Sequence, residues 1–187
     1  MTWMLLHLAK DAQLQLEAAA EAAAVEVDAA SQDELLLRLP LLRSLFYEWL
    51  RMHGPAPFIL LQAAEDVTFM GETFPPDPSV LFLLHTGHIG QTGSVGPDPG
   101  RFIARRWLEP DGSVRPLPPE VMPFGHGVRM CPGKDLPVLE SLLTVAKLLQ
   151  AFSLALAADH QDVGSITAFT QQPDRDMCIA CTKRRQA

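Results

Sequence analysis

The sequence predicts a mainly α protein with small β-sheets, an α+β fold. Three observations predict it. Apolar residues recur at helical spacing in two stretches, one up to His53 and one from Leu136 to Phe152. Short apolar runs bounded by Gly and Pro, such as Phe58-Ile59-Leu60-Leu61, read as strands. Twelve of the 16 prolines lie between Pro75 and Pro137, so the middle of the chain is expected to be irregular loop with helices on either side.

Composition narrows the class. A chain of 187 residues, 48% of them hydrophobic, can bury the core of one domain. A net charge of −7 argues against a nucleic-acid surface. Three Cys cannot all pair and nothing resembles a signal peptide, so a reducing, intracellular setting is expected. No apolar run reaches the length of a membrane span.

Met1 to Ala30 reads as helix, Ala-rich from Ala18 to Ala24, with Asp11 as a break or cap. His7 reads as an ordinary helix residue. Ser31 to His53 reads as a second helical block. Pro40 suits a first turn, and Leu41, Leu42, Leu45, Phe46, Trp49 and Leu50 form an apolar stripe. Glu48 and Arg51, three apart, share a face and can pair. Phe58–Leu61, Val67–Phe69 and Val80–Leu84 read as strands of a small sheet. His85 and His88 lie in a Gly-rich stretch that reads as a turn rather than a metal site.

Phe124-Gly125-His126-Gly127-Val128-Arg129-Met130-Cys131-Pro132-Gly133 reads as a loop presenting one cysteine thiolate beneath a flat, metal-bearing cofactor. Pro132 suits the first position of the following helix, whose dipole and free N–H groups would favour a charged sulfur. Gly125, Gly127 and Gly133 would permit positive φ and close approach to a bulky ligand. Phe124 can lie on an apolar macrocycle, and Arg129 can pair with a carboxylate on its edge. A phosphate loop is excluded by the spacing of Gly127 and Gly133 and by Asp135 after Lys134. In the following helix, Leu139, Leu142, Leu143, Ala146 and Leu149 form the expected core stripe, and Pro137 is tolerable in its first turn. Phe152–Leu156, Ile166–Phe169 and Met177–Cys181 read as strands. Cys178 and Cys181 have no second pair with which to hold zinc, and Lys183-Arg184-Arg185 reads as a solvated end.

The cysteine loop resembles the haem-binding loop of the cytochrome P-450 family, F-x-x-G-x-R-x-C-x-G, at Phe124, Gly127, Arg129, Cys131 and Gly133. Two further segments resemble the family in its order. Glu48 and Arg51, followed by Pro55 and Pro57 and standing 80 residues before Cys131, resemble its E-x-x-R helix. Phe102, Arg106 and Trp107 resemble its F-x-P-E-R-[FW] segment, with Ala104 and Arg105 replacing Pro and Glu. The basic residue usual near Leu61 or Gln62 is missing.

The resemblance covers the whole chain and implies the C-terminal, haem-binding part of that fold. Residues 1–53 would be the helical part, 54–94 a small sheet, 95–134 the meander and haem loop, and 135–187 the long helix and last strands. Thr2 to Lys10 resembles the end of the family's long central helix, whose oxygen-activating acidic-Thr pair would lie upstream. The resemblance implies a haem-thiolate monooxygenase with haem b and iron, Cys131 as proximal ligand, and Phe124, Gly125, Gly127, Arg129 and Gly133 around the cofactor. Glu48, Arg51 and Arg106 would form a structural triad. A reductase or ferredoxin would donate electrons and an apolar organic molecule would be the substrate; Lys134 and Arg105 could add to a basic docking face. A full-length form could associate with the endoplasmic-reticulum membrane. The alternatives are a truncated, catalytically inactive haem-binding fragment and a haem-free interaction module.

Overall fold

The computed structural model of the chain describes residues 1–157 and 163–184. It is α+β, with six α-helices and four two-stranded antiparallel sheets among those residues.

Asp11 divides the N-terminal helical stretch, as its short polar side chain suggests. Helix α1 spans Thr2–Lys10 and α2 spans Ala12–Ala23. The Asp11 carboxylate accepts Leu14 N–H at 2.9 Å and so caps α2. Helix does not continue to Ala30; Val25 and Val27 lie beyond α2 and are still buried. The second block is two helices. Helix α3, Gln32–Arg38, opens with a capping box between Ser31 and Glu34. Helix α4, Pro40–His53, starts at a proline, which keeps Leu39 out of the helical region, at φ −120° and ψ 51°. Glu21 of α2 caps α4 from outside by accepting Leu41 N–H at 2.7 Å and Leu42 N–H at 3.0 Å. Burial pushes the Glu21 carboxyl up, against the effect of those two bonds.

Helix α6 spans Asp135–Ala151 and packs on α2, α3 and α4. Its buried stripe is Val138, Leu142, Val145, Ala146 and Leu149; Leu139 and Leu143 are only half-buried. The expected face was turned by about one residue, because both faces of this helix are rich in Leu. Pro132 is not its first residue. It lies in a turn before α6, where Lys134 N–H reaches Cys131 C=O at 3.3 Å and Leu136 N–H reaches Gly133 C=O at 3.2 Å. The helix end expected next to Cys131 is therefore displaced by that turn.

Strand β1 (Phe58–Leu61) pairs with β4 (Phe82–His85), placing Leu60 opposite Leu83. The last expected strand of this sheet starts later than Val80, whose N–H is held by Asp77 C=O in a turn. Strand β2 (Val67–Phe69) pairs with β3 (Glu72–Phe74) across Met70-Gly71, both at positive φ. His85 caps a short helix, α5 (Thr86–Ile89), where a turn was expected.

The C-terminal strands are β5 (Phe152–Leu156), β6 (Ser165–Thr167), β7 (Gln171–Pro173) and β8 (Ile179–Lys183). Pairing of β5 with β8 draws Lys183 into a strand, and Arg184 donates to Phe152 C=O at 3.0 Å. The backbone of that end is therefore tied down while Lys183 stays exposed, as expected of a solvated end; Arg185 lies outside the described residues. Cys178 and Cys181 are both exposed. Buried Gln15 joins α2 to β5, donating to Leu154 C=O and accepting Leu154 N–H, both at 2.8 Å.

His7 and His53 are half-buried where α1 crosses the end of α4. His53 stacks on Trp3 at 4.0 Å and His7 stacks on Phe102 at 3.4 Å. Burial pushes the His7 imidazole down to about 4, aided by His53 and Lys10 and opposed by Glu48. Burial also pushes His53 down to about 4, aided by Arg51. Both are thus neutral when folded and take up protons more readily when unfolded. Their contribution is complete above the ordinary value of 6.5 and is lost as pH falls toward about 4. Denaturant titrations should show stability falling below pH 6.5, by at most about 1.4 kcal/mol per pH unit for each imidazole. His53→Phe, which keeps a ring against Trp3, should shallow that slope; an unchanged slope would refute the assignment.

Candidate haem-thiolate site

The site is built from its base upward. On α4, Glu48 and Arg51 lie one turn apart and are sealed from solvent, at 0% and 1% exposure. Arg51 donates to Glu48 with Nε at 2.9 Å and Nη2 at 2.7 Å, a two-pronged pair. Arg106, 9% exposed, adds Nε to Glu48 Oε1 at 3.0 Å. The structure thus brings Glu48, Arg51 and Arg106 together around one carboxylate. Ile103 N–H reaches Oε1 at 2.9 Å, and the indole N–H of Trp107 reaches Oε2 at 3.1 Å. Burial raises the Glu48 carboxyl, but hydrogen bonds from Arg51 and Ile103 and the charge of Arg51 outweigh it, holding it below the ordinary value.

Two guanidinium groups on one carboxylate leave a buried positive excess. Backbone oxygens of the irregular segment meet it. Arg51 donates to Gly90, Pro99 and Arg101 carbonyls, and Arg106 to Pro97, Asp98 and Arg101 carbonyls, at 2.6–3.0 Å. Gly90 must be glycine for this approach, since a Cβ there would stand 2.8 Å from Arg51 C=O. The motif alone did not reveal the roles of Ile103 and Trp107. The available signal was the Pro/Gly-rich stretch itself, whose carbonyls have no strand partner.

Trp107 carries this base to the cysteine loop. It is fully buried with Val95 and Val121, and Arg115 lies 5.0 Å above its ring. From Val121 the chain reaches Phe124, which is half-buried against the main core. Phe124 C=O accepts Cys131 N–H at 2.9 Å, closing the loop at its neck. Gly125 and Gly127 adopt φ 73° and 65°, conformations that favour glycine. Gly133 does not have a positive φ, contrary to expectation; it approaches the sulfur, a Cβ there standing 4.0 Å from Cys131 Sγ. Cys131 is a free, exposed thiol, and Arg129 is exposed beside it in sequence. A cavity of about 290 Å³ lies along the loop, lined by Leu117, Val121, Phe124 and Met130 among others.

A family model described as Cytochrome P450 matches residues 1–179. The chain belongs to the cytochrome P450 family. Similar proteins include cytochrome P450 11B2, mitochondrial, of Mesocricetus auratus, 31% identical over 170 residues, covering 90% of this chain and 32% of that protein. Sterol 26-hydroxylase, mitochondrial, of Homo sapiens is 26% identical over 193 residues, covering 99% and 35%. Cytochrome P450 76C4 of Arabidopsis thaliana is 32% identical over 156 residues, covering 82% and 30%. The chain thus spans about a third of the length of the curated relatives it matches.

Membership in the cytochrome P450 family implies haem as the cofactor. The residues present fit it. A porphyrin supplies four nitrogens to its iron, so the protein needs to bring one axial donor. Cys131 is one exposed thiol, and no cluster of three or more His, Cys, Asp or Glu that could hold a bare ion occurs among the described residues. The expected basic docking face is altered, because Arg105 pairs with Glu17 and Lys134 pairs with Asp135 at 3.0 Å. No helix among the described residues is long and apolar enough to cross a membrane.

Glu48→Ala would leave two buried guanidinium groups without their carboxylate. It should cost about 3–5 kcal/mol by chemical denaturation. Trp107→Phe keeps an aromatic ring but removes the N–H donor to Glu48, and should cost about 1.5–3 kcal/mol. A Glu48→Ala protein with the parent's midpoint and slope would remove the carboxylate from its place at the base of the fold.

Proposed function

We propose that this chain is the haem-ligating part of a monooxygenase, with Cys131 as the proximal ligand. The exposed Cys131 thiol on its closed, glycine-bent loop carries this reading. On this reading residues 95–134 form the meander and haem loop, set between the small sheet of 54–94 and the long helix and last strands of 135–187. The helical part, 1–53, supplies the base.

Each residue has a task. Cys131 would donate a sulfur lone pair to the iron. Gly133 lies against the sulfur, and its N–H has no acceptor among the described residues, so it can donate toward thiolate charge. Gly125 and Gly127 let the backbone turn beneath a flat ligand without side chains intervening. Phe124 offers an apolar edge, and Arg129 a cation for a carboxylate on the cofactor rim. Glu48, Arg51 and Arg106 hold the meander, and through Trp107 and Val121 the neck of the loop, at a fixed distance from α4. When bound, haem supplies the oxygen activation and oxidising power. The substrate class is a small apolar organic molecule, and a reductase or ferredoxin supplies the electrons.

The full chain, reconstituted with haem, reduced and exposed to carbon monoxide, should give the red-shifted Soret band of thiolate ligation. Cys131→Ser should lose that band while keeping its circular dichroism. Equal haem content and an identical band in the serine variant would overturn the reading. Turnover with a reductase then separates a monooxygenase from a haem-binding fragment without activity, and absence of haem uptake by the parent chain leaves the interaction module.

A further inference from the structure

Where α1 crosses the end of α4, three buried polar atoms have no protein partner among the described residues: His7 Nε2, Trp49 Nε1 and His53 Nδ1. Buried Gln15, by contrast, meets partners at both ends of its amide. A buried polar atom left dry costs about tenfold or more in the folding equilibrium. The three atoms belong to one crossing. Trp49 and His53 are one turn apart on α4. His53 stacks on Trp3, and Trp49 packs on the cluster that holds Trp3. His7 is one turn beyond Trp3 on α1.

The spacing of the two imidazoles decides what can join them. Their centres are 6.3 Å apart and their planes are inclined by 33°. A direct N–H···N bond of about 3 Å would bring the centres to within about 5 Å. One bridging oxygen, with two bonds of about 2.8 Å, spans centres up to about 8 Å apart. The observed separation falls between these limits. The hydrogen count agrees. Burial keeps both imidazoles neutral near neutral pH, so each can accept at its inner nitrogen and carry its hydrogen on the outer one. The indole N–H of Trp49 can only donate. Two acceptors and one donor match the two hydrogens and one lone pair of a single water molecule, and three bonds are usual for a buried one. A metal ion is a poorer guest. No group of three ligating side chains occurs among the described residues, and Lys10 and Arg51 disfavour a further cation here.

We propose that one buried water molecule bridges α1 and α4, donating to His7 Nε2 and His53 Nδ1 and accepting from Trp49 Nε1–H. His7 also stacks on Phe102, whose neighbour Ile103 donates to Glu48. The water thus ties the end of α1 to the segment held by that carboxylate. The proposal does not depend on haem.

The test is magnetic resonance of the full chain labelled with nitrogen-15. The Trp49 indole proton should cross-relax with a water molecule held for longer than the protein takes to tumble. The imidazole spectra should show His7 protonated at Nδ1 and His53 at Nε2. In urea titrations, His7→Phe and His53→Phe should each raise the ratio of unfolded to folded chain about tenfold. The double variant should raise it by far less than the product of the two, because both acceptors leave together. A Trp49 indole proton with no long-lived water beside it, a hydrogen on either inner nitrogen, or single effects that simply multiply would each overturn the proposal. The first two are read on the parent chain and hold even where a variant does not fold.

Discussion

One carboxylate sets the arrangement of the central part of this protein. Glu48 is sealed inside α4 and meets five donors from Arg51, Ile103, Arg106 and Trp107. A buried charge with so many partners is expensive to misplace, because any donor withdrawn leaves the rest uncompensated in a low dielectric. The consequence reaches well beyond α4. The segment around Gly90 to Arg101 has almost no regular structure, and regular pairing cannot satisfy its backbone. Its carbonyls instead serve as the outer shell of two buried arginines. The irregular chain and the buried cations each supply what the other lacks.

From that base two layers diverge in character. The helices α2, α4 and α6 share a contiguous apolar core, with Leu42, Leu45, Phe46, Leu142 and Leu149 fully enclosed. The sheets do not. Each has only two strands, and β1 and β4 leave Leu60 and Leu83 exposed. A pair of strands has little independent stability. The position of β5 thus owes much to Gln15 and α1, and Gln171 N–H of β7 to its bond with Pro55 C=O. On the proposed reading, the cysteine loop borrows its rigidity in the same way, from Trp107 beneath Val121.

Much of this was legible because local chemistry and tertiary packing agree. Asp11 ends one helix and caps the next; Pro40 starts α4; Phe124, Gly127, Arg129, Cys131 and Gly133 mark one loop. The errors fall where local signals are degenerate. In α6, Leu occupies several faces, so periodicity could not choose between Leu139 and Val138 as the seam. Strands β3 and β7 were missed because Glu72-Thr73-Phe74 and Gln171-Gln172-Pro173 are short and polar, and their pairing depends on partners across a turn. The roles of Trp107 and Ile103 at Glu48 lie more than fifty residues away in sequence, beyond any local pattern. His85 looked like a turn residue because its capping bond to His88 is visible only once α5 is formed.

The displacement of α6 changes the electrostatic argument for Cys131. A helix end placed directly after the cysteine would have aimed a macrodipole at the sulfur. Instead Pro132, which has no N–H, and a turn stand between them, and α6 begins at Asp135, whose carboxylate is paired with Lys134. Cys131 N–H is already committed to Phe124 C=O. On the proposed reading, support for charge on the sulfur would therefore come from groups close to it, namely Gly133 N–H and the bound metal. The chain's contribution is then mainly geometric: a base fixed through Glu48, a neck closed by Phe124, and glycines that leave room above a single donor atom.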